Sequence, residues 1–245
     1  MMEETGVRLN KFLSAAGICS RREADREIEA GRVLVDGRPA VAGQKVLPGQ
    51  KVTFRGRTVE EKPRPVLLMV NKPRGIVCTT QRRDRDNIVD FVRYPQRVYP
   101  VGRLDKESRG LILMTNQGEL VNRILRGSER HEKEYLVQVD RPVTVEFLRK
   151  MASGLYLPDL DRTTRPCQVR RRGRNGFSIV LTQGWNRQIR RMCEACGYRV
   201  KDLQRIRIMN LLLGELPEGA YREVTEAEFA GLMRELEKTG GSRSV

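Results

Sequence analysis

The chain has 245 residues, of which 47 are Lys or Arg and 31 are Asp or Glu, so its formal net charge at pH 7 is +16. Hydrophobic residues make up 39% of it, enough for a real core, and no apolar run reaches the roughly 20 residues of a membrane helix. The charge favours a polyanionic partner, with nucleic acid the leading candidate and an anionic membrane surface the second.

Two helices and a hairpin are predicted near the N terminus. Apolar residues at helical spacing predict a first helix over Arg8–Ala16. Ser20 and Glu23 have the spacing of a capping box, which predicts a second helix that ends at Gly31. Strands are predicted over Val33–Val35 and Arg38–Ala40, joined by an Asp36-Gly37 turn, and over Lys51–Phe54.

The second predicted helix carries two cations, Arg21 and Arg22, in its first turn. The helix dipole disfavours an exposed positive charge at this position by roughly a few tenths of a kcal/mol per residue. A phosphate bound at the helix start would explain this broken rule. The alternative is two exposed arginines tolerated at small cost.

The charged, proline-containing segment Arg55–Pro65 has no periodic apolar face and is predicted to be a linker. Beyond it, helix patterns are few and strand patterns many, which predicts an α+β domain on a mixed, largely antiparallel sheet. Strands are predicted over Val66–Asn71, Ile76–Thr80, Val98–Val101, Leu111–Thr115, Lys133–Val139, Cys167–Arg170, Phe177–Thr182, Val200–Ile208, Asn210–Leu213 and Tyr221–Val224. Helices are predicted over Ile88–Arg93, from an Asn116 cap to Ile124, over Pro142–Ser153 on an apolar face of Val145, Leu148 and Met151, from an Asn186 cap to Cys196, and over Glu226–Glu237.

The predicted topology places Asp105 in a loop between two short strands. Such a loop exposes a carboxylate while fixing its position, which suits a catalytic group. Judged on local pattern alone, a solvated turn aspartate is the commoner case. On the predicted helix after Asn186, Arg187, Arg190 and Arg191 fall at i, i+3 and i+4, so they are expected to form one stripe that faces an anion.

The cysteines and the single histidine are not expected to form a metal or redox site. The five cysteines are scattered and odd in number, which predicts reduced thiols, and Cys193 and Cys196 form a CxxC inside a predicted helix with no second pair. We therefore interpret them as core residues and expect no metal site. The single histidine, His131, lies among charged residues and is expected at an exposed strand entry, although it could act as a base.

Residues 8–54 resemble the S4 RNA-binding domain, since RLNKFLSAAGICSRREADREIEAGRVLVDG follows that family's pattern over most of its length. The resemblance implies a small S4-like (αL) N-terminal domain. It also implies that Lys11, Ser20, Arg21 and Arg22 line a surface that faces RNA.

The rest of the chain resembles the RsuA/Rlu branch of pseudouridine synthases. The similarity rests on GRLDKESRGLILMTNQGEL, KEYLV and GWNRQIRRM, in this order and at matching separations. Within that branch, NIVDFV, VYPVGRLD, NRQIRRMCEACGY and RIRIMN are most similar to the large-subunit synthase F type. The resemblance implies an S4-like domain over 8–54 and a catalytic domain over 66–237, on either side of the linker over 55–65, while the composition of 238–245 predicts a disordered tail.

Carried over residue by residue, the resemblance implies that Asp105 is the catalytic aspartate, Arg190 its arginine partner and Tyr135 the active-site tyrosine. Isomerisation breaks the N-glycosidic bond, turns the uracil and joins C5 to the sugar. An ionised carboxylate can attack C1′ or remove the C2′ proton, and both routes remain open. A fork from Arg190 would keep Asp105 ionised and aimed. Tyr135 would offer a flat face and a hydroxyl near C5, unless it is a core-packing strand residue.

The resemblance further implies that Arg103 displaces the flipped base and that Leu203 packs near the aspartate. The alternative role for Arg103 is a phosphate contact. Arg187 and Arg191 would bind RNA, and the basic segments Arg82–Arg85 and Arg170–Arg174 would hold its backbone, unless they are only solvated loops.

The resemblance thus implies a uridine in 23S ribosomal RNA as the target, with a tRNA anticodon uridine as a second candidate. We expect a monomeric cytoplasmic enzyme without metal, small-molecule cofactor or membrane partner, since no signal-peptide pattern precedes Arg8. The alternative is a non-catalytic S4-type RNA-binding or ribosome-assembly factor, which would explain the charge equally well. An RNA hydrolase is disfavoured because the sequence lacks the metal ligands or paired general acid and base of such enzymes.

Overall fold

A computed structural model of the chain describes residues 6–59, 64–81, 84–126 and 130–240. These residues form two compact units. The first contains the described residues up to Pro65 together with 95–97 and 116–118, and the second contains the remainder. None of the described helices is long and apolar enough to cross a membrane.

The first unit has the predicted helix, helix and hairpin arrangement. Its elements are β1 (Val7–Arg8), α1 (Leu9–Ala15), α2 (Arg21–Glu29), β2 (Val33–Val35), β3 (Arg38–Pro39), β4 (Lys45–Val46), β5 (Val52–Phe54) and β6 (Arg57–Thr58). The capping box forms, because the Glu23 N–H donates to Ser20 Oγ at 3.2 Å and the Ser20 N–H donates to a Glu23 carboxylate oxygen at 3.4 Å. Asp36 and Gly37 both have positive φ, which a two-residue hairpin turn of this hand requires.

The second unit is built on a large mixed sheet. Its strands are β7 (Leu67–Lys72), β8 (Tyr99–Val101), β9 (Arg109–Thr115), β10 (Lys133–Val139), β11 (Tyr156–Leu157), β12 (Arg162–Thr163), β13 (Gln168–Arg171), β14 (Gly176–Leu181), β15 (Val200–Ile208), β16 (Leu211–Leu212) and β17 (Tyr221–Glu223). Its helices are α3 (Ile88–Val92), α4 (Gly118–Leu125), α5 (Val145–Ser153), α6 (Gln188–Ala195) and α7 (Glu226–Gly240).

The sheet order is β13-β14-β10-β15-β9-β7-β17, with β8 paired to β9 and β16 to β15. Among the described strands of this sheet, β15 and β9 pair in parallel and the other pairs are antiparallel. The predicted fold class, α+β with a small S4-like domain and a mixed, largely antiparallel sheet, is therefore confirmed.

At β7 and β9, both faces of this sheet are buried. Along β7, Leu68 and Val70 enter one apolar cluster, while Leu67 and Met69 enter the cluster on the opposite face. Leu232 of α7 belongs to that second cluster. A strand that is covered on both faces needs apolar residues at nearly every position, and this is why the run VLLMVN correctly predicted a buried strand.

Two predictions in this domain are wrong. Ile76–Thr80 is not a strand, because Val77 makes one isolated bridge, to Asn87, and its N–H donates to the Asp86 carbonyl in the loop before α3. Helix α5 begins at Val145 and not at Pro142, since the Thr144 hydroxyl accepts from the Phe147 N–H as its cap. Phe147 and Met151 face the core, whereas Val145 is 77% exposed.

Three helix ends also differ from prediction. Helix α4 begins two residues after Asn116, whose side-chain amide instead donates to the Arg64 carbonyl at 2.9 Å. Asn186 does not cap α6, because Arg187 occupies that position in the left-handed conformation and without a capping side chain. Helix α7 continues to Gly240, three residues past the predicted end, and residues 241–245 of the expected tail lie outside the described part of the chain.

Candidate active site

Asp105 lies, as predicted, in the loop between β8 and β9. Leu104 is buried and donates its N–H to Cys78 Sγ at 3.4 Å, while Arg103 on one side is exposed and the Asp105 side chain on the other is 31% exposed. The Ser108 N–H donates to the Asp105 carbonyl at 3.0 Å and closes the turn. The buried leucine therefore anchors a loop on which Arg103 and Asp105 remain accessible.

Lys72 supports this loop from inside the protein. It is fully buried, and its Nζ donates to the carbonyl oxygens of Ser108 at 2.7 Å, Pro73 at 2.8 Å and Lys106 at 3.4 Å. Burial lowers the pKa of Lys72 and the charge of Arg205 adds to this effect, whereas Cys78, Glu107 and Asp105 favour the charged form. The predicted strand ends at Asn71, one residue before Lys72, so the sequence pattern assigned this lysine no role. A lysine that closes an otherwise apolar run was the available signal.

The loop leads into β9 at Gly110, where β15 approaches closely. Gly110 pairs with Arg205 and has φ +101, and a Cβ placed there would lie 2.3 Å from the Arg205 carbonyl oxygen. Only glycine fits both the backbone conformation and the space. Arg205 is itself buried, and its Nε donates to the Leu111 carbonyl at 2.6 Å. The loop therefore ends at a fixed point of the sheet.

Arg190 approaches Asp105 from α6. Its Nε lies 3.9 Å from Asp105 Oδ2, and its Nη2 donates to the Glu107 carbonyl at 3.2 Å and to Ser108 Oγ at 3.3 Å. Arg190 therefore lies beside Asp105 as predicted, but the predicted fork onto the carboxylate does not form, because Nη2 is bonded to the loop that carries it. Burial lowers the pKa of Arg190, the charge of Arg187 adds to this effect, and Asp105 opposes it.

Tyr135 and Leu203 lie on neighbouring strands of the same sheet. Tyr135 pairs with Arg205 of β15 and is 8% exposed, while Leu203 pairs with Val137 and is 5% exposed. Both belong to the buried cluster that also holds Leu104 of the Asp105 loop. The structure thus brings tyrosine, leucine and loop to one face of the sheet. The role of Tyr135 in catalysis stays a prediction.

The expected arginine stripe on α6 does not form. Arg187 precedes the helix with φ +52, so its side chain does not follow helical spacing. Arg190 turns to the Asp105 loop, and Arg191 pairs with the Asp159 carboxylate and donates to the Asn186 carbonyl. The helical spacing gave a wrong prediction because Arg187, the first of the three arginines, lies outside α6.

His131 is buried, not exposed as expected, and its Nδ1 lies 2.9 Å from the Ile124 carbonyl oxygen. Cys193 is fully buried, burial raises the pKa of its thiol, and both it and Cys196 are free cysteines, as the core interpretation predicted. Within the described ranges, no group of three or more His, Cys, Asp or Glu side chains could hold a metal ion.

In the first unit, Arg21 and Arg22 are exposed in the first turn of α2, as predicted. Lys11 and Arg21 line an open cavity of about 370 Å³ together with Gly6, Val7, Arg8 and Asn10. Ser20 lies at the start of the same helix, and its hydroxyl accepts the capping hydrogen bond. The four residues assigned to RNA therefore include one with a clear structural role.

Of the basic loop segments, Arg82 and Arg83 lie outside the described residues. In the other segment, Arg171 donates to the Val143 carbonyl and Arg172 to Ser178 Oγ at 3.4 Å. These two arginines therefore support the fold, Arg171 from the end of β13 and Arg172 from the turn that follows it.

Comparison with known proteins agrees with this arrangement. The family model for RNA pseudouridylate synthase matches residues 66–195, which include Asp105, Tyr135 and Arg190, and the S4 domain model matches residues 7–52. The chain belongs to the RNA pseudouridylate synthase family. The enzyme class that the motifs predicted is thereby confirmed, and the chain is an RNA pseudouridine synthase with an S4 domain.

Similar proteins span nearly the whole synthase. The dual-specificity RNA pseudouridine synthase RluF of Escherichia coli (strain K12) is 51% identical over 98% of this chain and 82% of its own length. Ribosomal large subunit pseudouridine synthase B of Bacillus subtilis (strain 168) is 34% identical over 92% of this chain and 95% of its own. A solved pseudouridylate synthase structure, 28% identical, aligns with a TM-score of 0.69 over 92% of this chain and 99% of its own.

Proposed function

We propose that this synthase isomerises a uridine of the 23S ribosomal RNA and that a tRNA anticodon uridine is a second substrate. The observation that carries the substrate proposal is the 51% identity, over nearly the full chain, to a synthase named for dual specificity. We further propose that the enzyme acts in the cytoplasm as a monomer. Its S4-like domain over 8–54 would bind RNA through Lys11, Ser20, Arg21 and Arg22, and its domain over 66–237 would carry the chemistry.

The proposed reaction is centred on Asp105. The C1′–N1 bond breaks, the uracil turns, a C1′–C5 bond forms, the C5 proton leaves to a base and N1 gains a proton, so the nucleotide keeps its atoms. The Asp105 carboxylate would either add to C1′ and leave again, or remove the C2′ proton and return it. Both routes use the carboxylate in its ionised form, and the Arg190 guanidinium lies 3.9 Å from it.

Arg190 has one hydrogen-bond donor, Nε, that could act in the reaction. Its Nε is buried and makes no hydrogen bond in the described part of the chain, although the same guanidinium is anchored through Nη2. Leaving a buried donor unpaired is costly, so such an atom commonly has a partner in a functional complex. We propose that Nε closes onto the Asp105 carboxylate or a sugar oxygen once substrate enters.

Base flipping would use Arg103, the exposed residue beside this site. A uridine inside a helix is unreachable, so the nucleotide must leave the stack. Arg103 is exposed two residues before Asp105 and could occupy the vacated position. Tyr135 would stack on the extruded uracil and accept the C5 proton, Leu203 would line the pocket, and Arg187 and Arg191 would contact the flanking RNA backbone.

A tritium-release assay tests the proposal. Transcripts of 23S RNA and of tRNA, each tritiated at uridine C5, are incubated with the synthase, and released tritium and RNA chain length are measured. We expect stoichiometric release from one position in each RNA while the chain stays intact, with the position mapped by chemical derivatisation of pseudouridine. Release from tRNA alone would contradict the ribosomal assignment, and release from 23S RNA alone would contradict dual specificity.

A further inference from the structure

Asp202, in β15 directly before Leu203, receives hydrogen bonds from two arginines that are distant in sequence. Arg109 donates from Nη2 to Oδ2 at 2.8 Å and from Nε to both carboxylate oxygens at 3.1 Å. Arg74 donates from Nη2 to Oδ1 at 2.7 Å and also to the Lys201 carbonyl at 3.0 Å. One carboxylate thus joins two guanidinium groups, in the strong, charge-assisted geometry of Arg–carboxylate pairs.

Each of these arginines adjoins the loop that carries Asp105. Arg109 is the first residue of β9, where the loop ends. Arg74 immediately precedes Gly75, whose N–H donates to the Lys106 carbonyl inside the loop at 2.9 Å. Asp202 therefore connects the Arg74–Gly75 segment, which contacts the middle of the loop, to Arg109, the residue at which the loop enters β9.

The charge of Asp202 also matters for the site. Burial acts to raise the pKa of Asp202, but hydrogen bonds from Arg109 and Arg74 outweigh it, so the pKa lies below its ordinary value and the group is ionised at neutral pH. The charge of Arg74 reaches Arg190, where it disfavours the protonated guanidinium. Without Asp202, Arg74 would lose the carboxylate that neutralises it, while Arg109 would keep the Glu218 carboxylate at 3.5 Å.

We propose that Asp202 is a positioning residue, which holds Asp105 opposite Arg190 by binding Arg74 and Arg109. The proposal rests on Asp105 being the catalytic carboxylate. Asp202 needs no contact with substrate in this role. It differs from a surface ion pair, whose contribution is small, in linking two segments that both contact the catalytic loop.

The test replaces Asp202 with Asn, which keeps the shape and one acceptor but loses the charge. A small displacement of a catalytic group is costly, so we expect kcat on tritiated RNA to fall about 10- to 100-fold. RNA affinity should stay the same or rise, because Arg74 becomes available to phosphate, and the salt dependence of binding should steepen. General damage to the fold would weaken binding instead. Asp202→Glu should recover most of the rate.

Glu228→Gln is the matched control. Glu228 accepts two hydrogen bonds from Arg222, at 2.8 and 2.6 Å, in the same domain and away from the loop, so its loss should change melting temperature but not kcat. A kcat for Asp202→Asn within twofold of wild type, with Asp105→Asn inactive in the same assay, would overturn the proposal while leaving Asp105 assigned. Activity in Asp105→Asn would remove the catalytic assignment and, with it, the role of Asp202.

Discussion

Arg190 Nε lies 3.9 Å from Asp105 Oδ2, while Nη2 of the same guanidinium donates to the backbone two residues further along the loop. One side chain from α6 therefore both orders the loop and supplies the positive charge nearest to its carboxylate. An arginine suits this double task because its planar group has donors that point in several directions. A substitution of Arg190 would therefore change both the position of the loop and the charge beside Asp105, and a change in kcat alone would not separate the two effects.

The first prediction concerns Asp105→Asn. The amide keeps the shape of the carboxylate but supplies neither a nucleophile nor a base, so turnover should fall about 1,000-fold or more. RNA binding, measured by filter retention, should stay within about threefold of wild type, because phosphate contacts supply most of the affinity. Appreciable tritium release by the pure variant would show that another group performs the chemistry.

The second prediction concerns Tyr135→Phe, which keeps the ring and removes the hydroxyl. If that hydroxyl accepts the C5 proton, release of tritium should slow about 100- to 10,000-fold, as for loss of a general base. Tyr198→Phe is the control, because Tyr198 is an equally buried tyrosine whose hydroxyl donates to the Pro142 carbonyl. Equal rates in both variants would reduce Tyr135 to a packing residue.

The elements that sequence predicted best are those specified by neighbouring residues. The Ser20–Glu23 capping box, the Asp36-Gly37 turn, and the bounds of Lys133–Val139 and Val200–Ile208 all agree with the structure. Each depends on contacts within a few residues or on simple alternation. The S4 and synthase motifs add the order of the domains, which patterning alone would not provide.

The parts that sequence did not predict depend on distant partners. Lys72 meets Ser108 across 36 positions and Arg109 meets Asp202 across 93, and neither separation leaves a periodic signal. Arg187 failed as a stripe member because its positive φ arises from how the chain enters α6, and a pattern assumes regular geometry throughout. The candidate site was therefore predicted as a set of residues, but its supporting contacts were not.

A third prediction concerns Lys72→Met, which fills similar space without donors. The Ser108 and Pro73 carbonyls would lose their buried partner, and such a loss costs about 1–3 kcal/mol of the free energy of unfolding. Relief from burying a charge offsets part of this cost. We expect a net destabilisation in urea unfolding and a larger loss of kcat than of RNA affinity. Unchanged kcat would show that the loop holds its shape without Lys72.

A fourth prediction concerns reversal of Arg21 and Arg22 to Glu. If both contact RNA phosphates, KM should rise while kcat stays nearly intact, because uniform binding affects the first and not the second. Each lost contact should also reduce the slope of log affinity against log salt by about 0.7 to 0.9. Negative charge in the first turn of α2 should if anything favour that helix.

The control for that reversal is Arg38→Glu with Arg57→Glu. Both residues are exposed on strands of the same unit, and the change in net charge is identical. This pair should change KM much less than the α2 pair does. Equal effects would mean that the S4 unit attracts RNA by overall charge, without a specific contact at the start of α2.

The fifth prediction is a pH dependence of stability that arises from Lys133. Burial, assisted by the nearby charge of Arg205, lowers the pKa of Lys133 from 10.5 to about 8. Below pH 8 the lysine is protonated in both folded and unfolded states, so the cost of burying the cation is fully present. Between about 8 and 10.5 the unfolded chain binds more protons, and the contribution of this group to stability therefore rises with pH.

Lys133→Met should accordingly raise the free energy of unfolding at pH 7, by an amount reduced by the lost hydrogen bond from Nζ to the His131 carbonyl at 3.3 Å. The gain over wild type should shrink as pH increases from 8 to 10.5. Urea unfolding of both proteins at each pH measures this difference, in which the titration of thiols such as Cys19 cancels. Lys201→Met, which removes an exposed lysine from β15, controls for the loss of one positive charge. A difference that stays constant over this pH range would show that Lys133 titrates alike in the folded and unfolded chain.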